Sequence, residues 1–171
     1  MKNLISICGS DGDDCNFCNH VSEVAEKVGR SIAQRGAVLV CGGHSVVMEA
    51  ACRGAKEEGG ITVGIMPYGK DEANPYIDIA IPTNIGNIRN YLVSSVGDVT
   101  IAICGRWGTL NEIAFRMISQ KPLILIKGTG GVVDEIINGN VMQGVESNYI
   151  IAESAEDAIN KAFEIINGQN I

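Results

Sequence analysis

DVTIAICGRWGTLNEIAFRM, residues 98–117, is the stretch on which the fold turns. After Asp98, the residues Val99 to Ile103 form a mostly apolar, largely β-branched run of strand length. Gly105 and Gly108 punctuate the run. From Thr109 the spacing Leu110, Ile113, Ala114, Met117 lays apolar side chains along one helical face. A strand that passes through a glycine turn directly into a helix is half of a βαβ unit, and its crossover obliges the next strand to lie parallel.

The same unit repeats in both directions along the chain. NLISIC (3–8) reads as a strand, and Val21, Val24, Ala25, Val28 and Ile32 stripe the helix after it, with Gly36 suited to its C′ position. AVLVC (37–41) is the next strand, followed by Gly42-Gly43 and a helix to about residue 58. ITVGIM (61–66) is a third. IDIAI (77–81) follows with no room for an intervening helix, which places it at an edge. Beyond a helix near 86–96 and the deciding stretch come PLILI (122–126), GTGG (128–131) opening a weaker helix, and YIIA (149–152). A closing helix is striped by Ala155, Ala158, Ile159, Ala162, Phe163 and Ile166. The expectation is an α/β fold with a doubly wound, mostly parallel sheet, Rossmann-like with three α/β/α layers, and one domain over residues 1–171.

Composition narrows the function. The net charge is −7, and no Lys/Arg cluster offers the counter-charge a nucleic acid requires. No run reaches membrane-spanning length, and no secretory signal opens the chain, so a cytoplasmic protein is expected. Six cysteines scattered along the chain read as reduced thiols.

Four glycine turns follow strand candidates: Gly9-Ser10-Asp11-Gly12, Gly42-Gly43, Gly105 with Gly108, and Gly128 to Gly131. Each leads towards a helix amino terminus, where free N–H groups and the helix dipole attract anions. Parallel strands bring all four turns to one rim, the usual ligand crevice of open α/β sheets. Neither G-x-G-x-x-G after the first strand nor a G-x-x-x-x-G-K-[ST] motif is present, which argues against a dinucleotide-dependent dehydrogenase and a P-loop NTPase. A small phosphorylated ligand is the expected partner.

Three motifs carry a family resemblance. Gly42-Gly43-His44-Ser45-Val46-Val47-Met48-Glu49-Ala50-Ala51 resembles the GGxxxVMEAA helix start of the Lonely Guy-like (LOG-like) proteins. Asn87-Ile88-Arg89-Asn90 is similar to their NARN segment, and Gly105-Arg106-Trp107-Gly108-Thr109-Leu110-Asn111-Glu112 to their GGxGTxxE motif. Within that superfamily the chain looks most like the short branch that includes molybdenum cofactor carriers. The resemblance implies a homodimer or larger homo-oligomer, with phosphate held by the GGxGT turn. The implied ligand positions are Gly9, Ser10, Gly42, Gly43, Met48, Glu49, Asn87, Gly105, Arg106, Gly108 and Thr109.

Hydrolases of the superfamily cleave the N-glycosidic bond of nucleoside 5′-monophosphates, using groups that match Arg89 and Glu112. A carboxylate there would stabilise an oxocarbenium-like centre and orient water, while a guanidinium pairs with phosphate. Two functions stay open: a binding or carrier protein for a phosphate-bearing, nucleotide-like ligand, with the molybdenum cofactor as one cargo, or a phosphoribohydrolase. The chain departs from the family pattern where PGG reads Cys104-Gly105-Arg106 and where Val46 stands for a common glycine. Arg106 is then either an anion ligand or a plug.

Other readings compete. Thr109-x-x-Glu112 is also a capping box. Cys15-Asn16-Phe17-Cys18 with His20 is a candidate zinc or redox motif. Cys8, Cys41 and Cys104 each end a central strand and are expected to line one rim as a thiol cluster, although the reading requires no metal. Trp107, the chain's one tryptophan, would stack on a ligand base or pack at a subunit contact.

Overall fold

The computed structural model describes residues 1–12, 18–141 and 148–168. Seven strands, β1 (Leu4–Gly9), β2 (Val38–Cys41), β3 (Ile61–Met66), β4 (Ile79–Pro82), β5 (Val99–Ile103), β6 (Leu123–Ile126) and β7 (Tyr149–Ala152), form one parallel sheet in the order β4-β3-β2-β1-β5-β6-β7. Six helices cover it: α1 (Cys18–Gln34), α2 (Val47–Glu57), α3 (Asn90–Val96), α4 (Trp107–Ile118), α5 (Gly131–Ile137) and α6 (Ala155–Ile166). The result is a three-layer, Rossmann-like α/β/α sandwich. None of the described helices is long and apolar enough to cross a membrane.

Strand alternation divides the core. Ile5, Ile7, Leu39, Ile101 and Ile103 face α1, α2 and α6. Val38, Val40, Ala102, Leu123 and Leu125 face α3, α4 and α5. β4 lies at the edge, as its short connection predicts; a single 3-10 turn, Lys70–Glu72, is all the helix that fits between β3 and β4.

Two expected helices begin later or face differently than their sequence suggests. The helix after Gly43 starts only at Val47, because Asn74 pins the preceding loop by donating its side-chain amide to the Gly43 and His44 carbonyls at 3.1 and 2.8 Å. On α4 the buried stripe is Thr109, Glu112, Ile113 and Arg116, while Ala114 is exposed. Arg116 is fully buried and donates to the carbonyls of Ser94, Gly97, Asp98 and Pro122 at 2.8–3.0 Å. It thereby ties the ends of α3 and α4 to the strands they precede, and burial lowers its pKa to about 10.

α1 and α2 meet through glycines. A Cβ on Gly29 would sit 1.8 Å from the Ala51 carbonyl oxygen, and one on Gly54 would sit 2.0 Å from that of Glu26. Gly29→Ala at an exposed helical site would stabilise by about 1 kcal/mol. Here it is expected to destabilise by roughly 2–4 kcal/mol, because two backbones must separate. The urea midpoint of the variant checks this, and an unchanged or raised midpoint refutes the close crossing.

Candidate functional site

The chain winds outwards from β1 to β4, then returns and winds the other way from β5 to β7. The connections leaving β1 and β5 therefore diverge, and a crevice opens above the carboxyl ends of these two neighbours. It encloses about 730 Å³ and is walled by Gly9 and Asp11 after β1, His44 and Met48 before and in α2, Asn87 to Asn90, and Arg106 to Thr109 with Glu112 on α4.

Not every glycine turn offers its amides to this space. The Gly128 and Gly130 N–H groups both donate to the Asp134 carboxylate at 2.8 Å. Gly105 N–H donates to Ser10 Oγ at 2.9 Å, and Gly43 N–H to Cys41 Sγ at 3.3 Å. The first turn of α4 differs. Leu110 N–H returns to the Arg106 carbonyl, no side chain caps the helix, and the Trp107, Gly108 and Thr109 amides have no acceptor among the described residues. The positive end of α4 is thus the open anion-attracting element of the crevice.

Arg89 lies beneath it. It closes a 3-10 turn, Gly86–Arg89, and is buried. Its guanidinium lies so close over Gly42 that a Cβ there would be 2.4 Å from Nη1. Nη1 is 3.7 Å from Glu112 Oε1, and Nε finds no hydrogen-bond partner. A buried guanidinium so placed is under-satisfied, and an anionic oxygen is the group that would complete it. Burial pushes the Glu112 carboxyl up to about 7, against the opposing pull of Arg89 and a hydrogen bond from Cys8. The Cys8 thiol is in turn raised well above its ordinary value by burial and by Glu112. A carboxyl poised near neutrality can donate or accept a proton.

On the opposite wall Asp11 accepts from His44 Nδ1 and Ser45 Oγ, each at 2.8 Å, and these bonds hold its pKa down at about 2. The His44 side chain thereby joins the loop after β1 to the loop before α2, and its Nε2 is 3.9 Å from Glu72.

Of the residues singled out in the sequence, Gly9, Met48, Asn87, Arg89, Arg106, Gly108, Thr109 and Glu112 line the crevice together. Arg106 forms part of the wall without closing the space. Gly42 supports Arg89 from below. Ser10, Gly43 and Gly105 serve internal hydrogen bonds, and Glu49 stands outside the lining.

The capping box does not form, because α4 begins at Trp107 and Glu112 faces Arg89. The thiol cluster does not form either. Ile7 pairs with Cys41 and Cys8 with Ala102, so a one-residue offset sends Cys8 to the α4 side. Cys41 lies on the α2 side, 3.6 Å from Cys52. Among the described residues no three His, Cys, Asp or Glu side chains are placed to hold a metal ion. The Cys15-x-x-Cys18 motif lies outside the described side chains.

Sequence reasoning did not single out Asp11, His44, Asn111 or Phe115 as lining residues, whereas Asn90 belongs to the quoted Asn87–Asn90 segment. His44 lay within the quoted glycine motif, so position alone could have found it. Phe115 carries no such signal.

Known proteins share this fold. The model of the SLOG cluster4 family matches residues 2–159. The molybdenum cofactor binding protein of the phototrophic bacterium Rippkaea orientalis is 35% identical, with a TM-score of 0.83 over 97% of this chain and 98% of its own. The molybdenum cofactor carrier protein of Chlamydomonas reinhardtii is 28% identical, with a TM-score of 0.82 over 98% and 99%. A cytokinin riboside 5′-monophosphate phosphoribohydrolase of Mycobacterium tuberculosis is 27% identical over 80% of this chain and 82% of its own.

The Glu112 environment has a measurable consequence. Its pKa rises from 4.5 unfolded to about 7 folded. Its contribution to stability is therefore complete below the lower value and lost as pH rises through the higher one. From this group stability is expected to fall by up to roughly 3 kcal/mol across that window. Glu112→Gln should remove the slope. Urea unfolding of both proteins at about pH 5 and about pH 8 measures it, and parallel pH dependences would refute the assignment.

Proposed function

The chain belongs to the SLOG cluster4 family, and from that premise we propose that its crevice binds a phosphate-bearing, nucleotide-like ligand as a binding or carrier protein. The observation that carries this reading is the pairing of two anion-seeking features in one cavity. Arg89 is buried with an unpartnered Nε, and the uncapped first turn of α4 presents open amides. The charge of a phosphate monoester answers both features, whereas a neutral ligand leaves the guanidinium unanswered. A pterin phosphate such as the molybdenum cofactor is one fitting cargo, in line with what the Rippkaea and Chlamydomonas proteins are named for. The reading includes self-association, because Tyr91 and Ile118 are exposed on α3 and α4 and a second copy would withdraw them from water.

One observation favours a second reading, an N-glycosidic hydrolase of nucleoside 5′-monophosphates. Glu112 is held near neutrality 3.7 Å from Arg89. In that chemistry Arg89 would anchor the phosphate. Glu112 would take a proton from water as the water oxygen bonds to the anomeric carbon and the base departs with the glycosidic electron pair, and that proton would then pass to the base nitrogen. The relative from Mycobacterium tuberculosis bears the name of such an activity.

Titration calorimetry with a panel of nucleoside 5′-monophosphates, together with an assay of free base, tests both readings. Binding is expected for the native protein, and Arg89→Ala should weaken it at least tenfold through loss of the charged phosphate contact. Binding without base release supports the carrier. Release abolished by Glu112→Ala establishes the hydrolase. If Arg89→Ala binds as tightly as the native protein, the anion site is wrongly placed.

A further inference from the structure

We propose that the Trp107 indole is the platform on which the ligand's flat heterocycle stacks, with the ligand entering the crevice phosphate first. This rests on the phosphate-ligand reading above and adds orientation and ring class to it.

The cavity changes in character from floor to mouth. At the floor the charged and polar groups are withdrawn from water: Arg89 is 6% exposed, Glu112 6% and Thr109 2%. At the mouth Trp107 is 84% exposed and Ile88 72%, beside the exposed polar side chains of Asn87 and Arg106. Trp107 and Ile88 line the same cavity as the floor residues. That is the reverse of a self-sufficient surface, where an indole lies flat against the core and a guanidinium reaches water. A guest that matches the gradient is anionic at its inner end and flat and apolar at its outer end. The opposite pose would place a heterocycle against Arg89 and leave its buried Nε without an acceptor.

Position strengthens the assignment. Trp107 is the first residue of α4, and side chains on a helix lean towards its amino end. The indole therefore overhangs the helix end whose Gly108 and Thr109 amides are open. A phosphate at those amides and a ring on the indole are separated by little more than a sugar or a short linker. Ile88 supplies an aliphatic contact at the same mouth. An aromatic face stacks with any planar base, so the platform selects for a ring, and for a larger ring over a smaller one, without reading hydrogen bonds.

The chain's single tryptophan makes the test direct. Ribose 5-phosphate carries the anion without a ring, and guanosine 5′-monophosphate carries both. Native protein, Trp107→Ala and Trp107→Phe are titrated with each by calorimetry, and native fluorescence is recorded in parallel. Guanosine 5′-monophosphate is expected to quench Trp107, and ribose 5-phosphate to bind with less than a fifth of that quench. The affinity ratio of the two ligands should fall at least tenfold in Trp107→Ala and stay within about threefold in Trp107→Phe.

An unchanged ratio in Trp107→Ala, or binding of guanosine 5′-monophosphate without quenching, overturns the stacking platform and leaves the phosphate site standing. If neither ligand binds the native protein, the phosphate reading fails and the platform fails with it. If Trp107→Ala instead lowers the sedimentation coefficient and weakens both ligands alike, Trp107 is a subunit contact and the proposal is wrong.

Discussion

Everything at the site follows from the reversal of winding between β1 and β5. These strands are hydrogen-bonded neighbours, yet the connection after β1 leads to one helical layer and that after β5 to the other. No loop can bridge the gap above them without crossing a second connection, which open sheets avoid. The crevice is therefore a topological necessity, and the sequence decides only what lines it. Gly9 closes one side, where a Cβ would meet Val47 at 2.4 Å, so α2 can press against the end of β1.

Two buried arginines show how the same side chain is used for opposite ends. Arg116 donates from all three of its nitrogens to four backbone carbonyls. Such a cation is fully answered and acts as a fastener. Arg89 has a carboxyl at 3.7 Å, an unpartnered Nε and a glycine cut back to admit it. Its carboxyl partner is itself raised towards neutrality, so Arg89 lacks a full counter-charge over part of the physiological range. Leaving a guanidinium in that state costs stability, and an anionic ligand would relieve it.

The strands, the main helices and the edge position of β4 were legible because periodicity and turn residues are local. Arg89, Glu112 and the 105–109 turn were legible through their motif. What local pattern could not show was where each polar group finds its partner. Asp134 reaches back to silence the Gly128 and Gly130 amides, and Ser10 crosses from the other strand to take the Gly105 amide. Both turns look open in sequence and are closed in space. The thiol cluster failed for a related reason: the ends of strands are visible, but the register between them is not, and an offset of one residue reverses the face. Arg116 was hidden because a cation on an amphipathic helix ordinarily reads as solvent-facing.

The departures from the family motif now have a conformational meaning. Cys104 stands where the LOG-like pattern has proline, and its φ is 56°, a value the pyrrolidine ring forbids. Val46 stands where glycine is common and has φ 51° with ψ −105°, a region a β-branched residue enters only under strain. The second position thus keeps a glycine-like backbone without the glycine, while the first adopts a turn its proline-bearing relatives cannot share. With that turn the Gly105 amide points inwards to Ser10 and its carbonyl accepts from Val132. The open amides at this junction are therefore those of residues 107–109 on α4. Hydrolysis depends on holding the anomeric carbon within reach of Glu112 to a fraction of an ångström, whereas carriage needs only that phosphate and ring both be satisfied. Carriage therefore asks less of the crevice geometry than hydrolysis does.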